Sequence, residues 1–166
     1  KENNTNVQLG ISPTGIYRNG DGVVTYDEQG NAISLGSATG GQEHYQSYLF
    51  SDTVNWINHE WIDYITPQSY WAFTHSIAGF ADVMGWWNKI VEYKDVNLYS
   101  GMGIYMSENP GTNYSWGRDP NEAYNQLLYT TTLDNVDGTV FYSYTYLKYA
   151  YLGNTTSLYG KGLAKD

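Results

Sequence analysis

The side chains that could do acid–base chemistry in this sequence are carboxylates, because the chain has 17 Asp and Glu residues, 3 His and no Cys. Hydrolysis of a glycosidic bond, for example, needs two carboxyl groups, about 5 Å apart for retention of configuration and roughly 6.5 to 9.5 Å apart for inversion. None of the predicted strands ends in a carboxylate, and the nearest acids are Asp21, Asp27, Glu28, Glu43, Glu108, Asp119 and Glu122. Asp119 and Glu122 fit helix caps better. Glu108 is therefore the remaining candidate for a general acid, with a solvated loop residue as the alternative.

Aromatic side chains are unusually frequent, since 18 Tyr, 6 Trp and 4 Phe make up 17% of the chain against 15% charged residues. Aromatic faces can stack on the apolar faces of sugar rings, while the phenol or indole edge bonds hydroxyls. A glutamine offers donor and acceptor to neighbouring hydroxyls, and an arginine could meet an acidic or N-acetylated sugar. We predict saccharide contacts for a set at one rim of the fold: Arg18, Gln68, Tyr70, Trp71, Tyr105 and Tyr142. The alternative is interior packing or, for Arg18, a surface ion pair.

Metal ligands are sparse in the sequence. The three histidines show no ligand spacing, and the chain has no thiolates. A calcium loop from Tyr17 to Glu28 is an open alternative, although a tyrosine at its first ligand position and the lack of flanking helices favour a hairpin turn. We therefore expect no metal and no cofactor.

The elements that must position these side chains alternate between strands and helices. Strands are predicted over Val7–Ser12, Asp63–Trp71, Val96–Tyr105 and Gly138–Tyr146, the last with Tyr142, Tyr144 and Tyr146 on one face. A first helix has its apolar stripe at Val54, Ile57, Trp61 and Ile62 behind a cap at Ser51 or Asp52. A second helix buries Phe80, Val83, Met84, Trp87 and Val91, with Trp86 off the stripe. A third begins at Asp119, Pro120 and Glu122 and continues through Ala123, Leu127, Leu128 and Thr131; a weak last helix covers Leu147–Leu152.

Alternating strands and helices with short connections indicate an α/β fold with a parallel sheet. A closed eight-unit barrel takes about 250 residues, so residues 1–152 suffice for half of one, followed by a polar tail over 153–166. Asparagine–glycine and aspartate–glycine pairs predict a hairpin in the first loop, within 19–41. Four open strands leave two edges unpaired. We therefore expect a partner, either a missing half-barrel upstream or a second copy of the chain.

Five runs of the sequence carry a family resemblance: 10–19, 56–71, 86–87, 98–101 and 138–143. In this order they resemble the C-terminal half of a bacterial glycosyl-hydrolase-like TIM-barrel family, long catalogued as a domain of unknown function. The most specific part is the run from Trp61 to Trp71. The resemblance implies that the strands are barrel strands five to eight. An acidic motif that ends the family's fourth strand is absent here, and Thr14 stands where the family usually has Phe.

The resemblance implies a carbohydrate-active enzyme, a glycoside hydrolase of which this chain is the C-terminal part and whose principal carboxylates lie on the N-terminal half. A non-catalytic carbohydrate-binding or cell-surface module is the alternative, and a structural domain without ligand is a weaker one. Expected partners are an oligo- or polysaccharide and the N-terminal half-barrel or a homodimer, at an extracellular or cell-surface location. The net charge of −9 disfavours nucleic acid, and no apolar run approaches the roughly 20 residues of a membrane span.

Overall fold

The computed structural model describes residues 6–47, 49–108, 116 and 119–152. The strands are β1 Gly10–Ile11, β2 Val24–Tyr26, β3 Ala32–Ser34, β4 Tyr64–Ile65, β5 Asn97–Met102 and β6 Val136–Phe141. The α-helices are α1 Thr53–Asn58, α2 Phe80–Ile90, α3 Glu122–Thr130 and α4 Tyr144–Tyr151, and a 3₁₀ helix covers Ile104–Glu108. The predicted tail, 153–166, lies outside the described residues.

A four-stranded parallel sheet in the order β1-β4-β5-β6 forms the centre of the fold. Its register pairs Gly10 with Tyr64 and Tyr64 with Asn97. This α/β arrangement of parallel strands and helices is the one predicted from the sequence, and it is compatible with part of a barrel.

The strand β4 is much shorter than the predicted span of Asp63–Trp71. Pro67 has no N–H to give to a neighbouring strand. Beyond it, the Ser69 and Tyr70 amides donate to the carbonyls of Pro67 and Gln68, at 2.9 and 3.0 Å. The chain therefore turns after Pro67, and the regular alternation of side chains ends there.

The helix α2 packs its predicted stripe into the core, where Phe80, Val83, Met84 and Trp87 are fully buried. Burial of each such side chain stabilises the fold by roughly 1.5 to 3 kcal/mol. Trp86, predicted to lie off this stripe, is also buried, because its other side is covered by the β2–β3 hairpin, to which it donates a hydrogen bond at Ser34 Oγ (3.0 Å).

The segment between β1 and α1 contains this antiparallel hairpin of β2 and β3. Its strand β3 is fastened to α1 by two bonds between the Asn58 side chain and the Ala32 backbone, 2.9 and 3.0 Å long. The first helix begins as predicted, since Asp52 caps it by accepting a hydrogen bond from the Asn55 amide at 3.1 Å. Trp61, in contrast, lies beyond the end of α1 and is 60% exposed.

The bounds of α3 and β6 also differ from the sequence prediction. The third helix begins at Glu122 with Asn121 as its cap, while the Asp119 carboxylate accepts from the Asn121 amide at 2.8 Å. Leu128 of that helix is exposed rather than buried. The last predicted strand corresponds to β6, which ends at Phe141. Tyr144 and Tyr146, expected to alternate along this strand, lie instead in α4.

The helix α4 forms because its apolar side chains follow a helical rather than an alternating spacing. Tyr146, Leu147 and Ala150 lie at i, i+1 and i+4 and face the core.

In the described part of the chain, no helix combines the length and apolar character needed to cross a membrane.

Candidate functional site

A cleft of about 270 Å³ opens beyond the carboxyl ends of the parallel strands. Three aromatic side chains line it, Tyr70, Trp71 and Tyr105, together with three neutral polar ones, Thr14, Gln42 and Gln68. In parallel α/β sheets and barrels, ligands bind at this edge. The cleft is therefore the candidate functional site.

Strand order explains why residues so far apart in sequence meet here. Thr14 follows β1, Gln68 follows β4 and Tyr105 follows β5, and these three strands are neighbours in the sheet. Single parallel bridges join Thr14 to Gln68 and Gln68 to Gly101 beyond the regular strand ends. The backbone at the floor of the cleft is thus held by the same pairing that builds the sheet.

Two glycines let the aromatic rings approach the backbone closely. A Cβ at Gly15 would lie 2.6 Å from the Trp71 ring, and a Cβ at Gly103 would lie 2.7 Å from Cγ of Tyr70. Any other residue at these positions would displace the rings. The lack of a side chain at these glycines therefore permits the observed positions of the Trp71 and Tyr70 rings.

Three tyrosines form a contiguous cluster beside the cleft. Tyr70 stacks on Tyr142 with ring centres 6.0 Å apart, and Tyr105 meets both rings edge to face at 5.8 and 5.9 Å. Burial raises the pKa of Tyr70, and the neighbouring Tyr105 and Tyr142 raise it further. The Tyr70 phenol therefore remains a neutral hydrogen-bonding group near neutral pH.

The amide of Gln68 is already partly engaged, since its Nε2 donates to the Ser12 carbonyl at 2.9 Å. That bond fixes the orientation of the side chain within the cleft. Its Oε1 accepts no hydrogen bond from the residues that the structure describes, so an acceptor remains for a ligand hydroxyl.

The structure does not bring Arg18 to the cleft. Its guanidinium lies over the ring of Tyr45, 5.5 Å from the ring centre. The predicted role of Arg18 in saccharide contact therefore finds no support in the geometry. Glu108 ends the 3₁₀ helix that carries Tyr105, and its side chain lies outside the described part of the structure.

Thr14, Gln42 and Met106 line the cleft but were not predicted from the sequence. The position of Thr14, directly after a strand and Pro13, is a signal that could have identified it. Gln42 follows the hairpin, and no local pattern marks it. Met106 follows Tyr105 in the 3₁₀ helix and resembles an ordinary core residue in sequence.

A buried histidine supports the cleft from behind. His44 is fully buried, and its two ring nitrogens lie 3.1 and 2.9 Å from the hydroxyls of Thr14 and Thr53. Burial lowers the pKa of His44 to about 4. Neutral imidazole therefore holds the Thr14 hydroxyl at the edge of the cleft.

The described lining can stack on and hydrogen-bond a polar ring compound, but it offers no acid–base pair. No Asp or Glu side chain within the described residues lines the cleft. Across the same residues, no group of three or more Asp, Glu or His side chains could hold a metal ion. The arrangement therefore fits recognition of a neutral hydroxylated ligand.

Comparison with known proteins identifies the family of the chain. The sequence profile of the glycosyl hydrolase-like 10 family matches residues 1–116. The protein named glycosyl hydrolase YngK from Bacillus subtilis is 33% identical over 152 residues, which cover 92% of this chain and 28% of that protein. The protein named glycosyl hydrolase DigH from a strain of Escherichia coli is 32% identical over 145 residues, which cover 85% of this chain and 30% of that protein.

The chain thus spans about three tenths of the length of these curated relatives. The profile match covers more than half of the chain and includes the run from Trp61 to Trp71 as well as the cleft residues up to Met106. The resemblance stated from the sequence is thereby confirmed. The chain belongs to the glycosyl hydrolase-like 10 family.

Proposed function

We propose that this chain is the C-terminal part of a glycoside hydrolase barrel and supplies a saccharide-binding subsite to it. The observation that carries the proposal is the cleft itself, with aromatic faces and neutral amide and hydroxyl groups at the carboxyl edge of the sheet. Family membership supports a carbohydrate-active protein. Trp71 is the side chain best suited to stack on a sugar ring, because the indole offers the largest apolar face in the cleft.

The inner face of the sheet supports the assignment of these strands to a barrel. Neighbouring strands alternate small and large residues there: the Tyr64 ring lies against Gly10, and the Tyr99 ring lies within 3.4 Å of the Cβ position of Gly138. Tyr64 and Tyr99 meet edge to face at 5.9 Å. Layers of interdigitating side chains from adjacent strands are typical of a barrel interior.

In this proposal, β1, β4, β5 and β6 are barrel strands five to eight, and the hairpin of β2 and β3 is an elaboration of the first loop. The four preceding strands belong to the part of the protein outside this chain. They carry the principal carboxylates, since the described lining of the cleft holds none. The chain would then bind one side of the saccharide while the other half performs acid–base chemistry.

A non-catalytic carbohydrate-binding module is the second candidate. The observation that favours it is the same lack of carboxylates in the described lining of the cleft. Both candidates predict saccharide binding, but only the first predicts that the longer protein releases reducing ends. Activity of the longer protein therefore separates them.

The binding proposal is tested by calorimetric titration of the longer protein with oligosaccharides of peptidoglycan-like and plant-derived types. Trp71→Ala removes the stacking face, and Gln68→Ala removes an amide that meets hydroxyls; each is expected to cost about 1 to 3 kcal/mol of binding free energy. Trp61→Ala is the matched control, because Trp61 is exposed and packs beside His59 rather than in the cleft.

Thermal melts of the same variants separate binding from folding. We expect Trp61→Ala to bind as the wild type does. If Trp71→Ala and Gln68→Ala also bind normally but melt much lower, the two residues serve packing and the site assignment is wrong.

A further inference from the structure

The aromatic side of the cleft is carried by a short loop, residues 70–73, which we call the wall loop. It follows β4, a strand of only two residues, so regular sheet pairing does little to hold it. Three of its backbone groups are instead bonded by side chains from the later part of the chain. The wall loop is therefore positioned from outside.

Two of the three bonds involve side chains of α3, and the third comes from Trp116. Trp116 Nε1 donates to the Tyr70 carbonyl at 3.0 Å, and Gln126 Nε2 donates to the Trp71 carbonyl at 3.0 Å. The Phe73 amide donates to Glu122 Oε1 at 2.9 Å. The carbonyls of the two cleft aromatics and the end of the loop are thus each fixed.

Glu122 and Gln126 form one unit on the inward face of α3. They lie one helical turn apart, and Gln126 Nε2 also donates to Glu122 Oε1 at 2.8 Å. Both side chains are buried, with 2% and 0% of their surface exposed. Glu122, predicted from the sequence as a helix cap, is thus a buried residue of the first turn of α3.

Burial of a carboxylate and an amide is unfavourable unless their polar atoms are bonded. The apolar contacts of α3 with the core come from other side chains, namely Ala123, Leu127 and Tyr129. Within the described residues, the hydrogen bonds of Glu122 and Gln126 join them to each other and to the wall loop, and Gln126 Oε1 is buried without a partner. Burial of Glu122 and Gln126 therefore has one structural consequence: their hydrogen bonds fix the backbone of the wall loop.

We propose that Glu122 and Gln126 are positioning residues that hold Trp71 and Tyr70 in the orientation that binds the saccharide. The proposal rests on the function proposed above. A loop fixed before binding loses less conformational freedom when the ligand arrives, so affinity depends on residues that never touch the sugar. The wall loop is preorganised by α3 in this way.

The sharpest variant is Gln126→Met, which keeps the length of the side chain and removes the donor to the Trp71 carbonyl. Loss of one such bond is expected to weaken oligosaccharide binding about threefold to tenfold in a calorimetric titration of the longer protein. Glu122→Gln is the conservative companion, since its amide oxygen can still accept from Phe73. It should bind more tightly than Glu122→Leu, which cannot.

Thr130→Val is the matched control on the same helix. Thr130 is buried, and its hydroxyl donates to the Leu127 carbonyl at 2.7 Å, away from the wall loop. It should lower the melting temperature while leaving the oligosaccharide Kd unchanged. This variant therefore reports the effect of a less stable α3 alone.

A fluorine NMR measurement reads the position of Trp71 without any saccharide. The longer protein is labelled with 5-fluorotryptophan, and the Trp71 resonance is assigned with Trp71→Phe. We expect Gln126→Met to shift or broaden the Trp71 resonance, whereas the exposed Trp61 keeps its resonance. Thr130→Val should change neither.

The outcomes distinguish this inference from the proposed function. If Trp71→Ala weakens binding but Gln126→Met binds as the wild type does with an unchanged Trp71 resonance, the positioning role is wrong and the saccharide site stands. If Trp71→Ala binds normally as well, the saccharide site itself is wrong, and the positioning role for binding is overturned with it.

Discussion

At the scale of single residues, His44 makes folding sensitive to pH. Its ring is enclosed by Tyr17, Trp87 and two threonine hydroxyls, and burial lowers the pKa to about 4 from an ordinary value of 6.5. Between these two values the unfolded chain binds more protons at His44 than the folded chain does. The free energy of unfolding therefore falls as the pH falls through this window.

We predict that protonation of His44 removes up to about 3 kcal/mol of stability as the pH falls from 6.5 to 4. His44→Gln cannot be protonated and should lack this component in denaturant unfolding measured at several pH values. His75→Gln is the comparison, since burial also lowers the pKa of His75, and this variant should keep the pH component that belongs to His44. An identical pH slope in wild type and His44→Gln would contradict the assignment.

Several of the cleft residues could be predicted from the sequence, but the position of the Arg18 side chain could not. Gln68, Tyr70, Trp71 and Tyr105 were predicted together and do line one cleft, because the ends of neighbouring parallel strands meet at one edge of a sheet. Arg18 was predicted on the same reasoning but lies over Tyr45. Position after a strand gives proximity to the edge, whereas the direction of a long side chain depends on contacts that only the folded chain supplies.

At the scale of elements, the close approach of Gly103 to Tyr70 links the end of β5 to the wall loop. Gly103→Ala would place a methyl group 2.7 Å from Tyr70 Cγ and push the ring off its stack with Tyr142. We predict weaker saccharide binding and a loss of about 1 to 3 kcal/mol of stability.

The matched control for this change is Gly40→Ala, whose new methyl group would meet Ile77 Cβ at an ordinary 3.8 Å and no other atom of the described residues within 4 Å. Calorimetric titration and thermal melts of both variants check the prediction. If Gly103→Ala binds and melts as Gly40→Ala does, Tyr70 has no fixed place in the cleft.

Some helix and strand boundaries follow from local sequence patterns, whereas others depend on contacts in the folded chain. The long apolar stripe from Phe80 to Val91 predicted α2 almost to the residue. The tyrosine-rich segment after Phe141 was predicted as strand but is helix α4 from Tyr144, because tyrosine favours strands only when a neighbouring strand and a half-buried face are present. The buried role of Glu122 was equally invisible, since an acid near a helix start looks like a cap.

At the scale of the whole molecule, the described sheet is open. Within the described residues, β1 and β6 each pair with one strand only. The side chains of Val140 in β6, of Tyr142 just after it and of Tyr144 at the start of α4 are 49%, 57% and 75% exposed. Unpaired edges and exposed apolar faces favour association. Another part of the same protein or a second copy would cover them.

We predict that this chain alone forms dimers or larger assemblies, or folds fully only with the N-terminal half. Light scattering over a dilution series, combined with thermal melts, measures both properties. A stable, fully folded monomer at low concentration would contradict this account of the open sheet.

The central claim is that this chain binds the saccharide while the other half of the protein supplies the carboxylates for acid–base chemistry. Measurement of hydrolysis tests this claim most directly. Reducing-end release from a panel of oligosaccharides should be measured for the longer protein and for this chain alone, with Glu108→Gln in both. We predict release by the longer protein and little or none by the chain alone, because the described lining of its cleft lacks carboxylates. Turnover by the chain alone that Glu108→Gln abolishes would contradict the claim and identify Glu108 as the general acid.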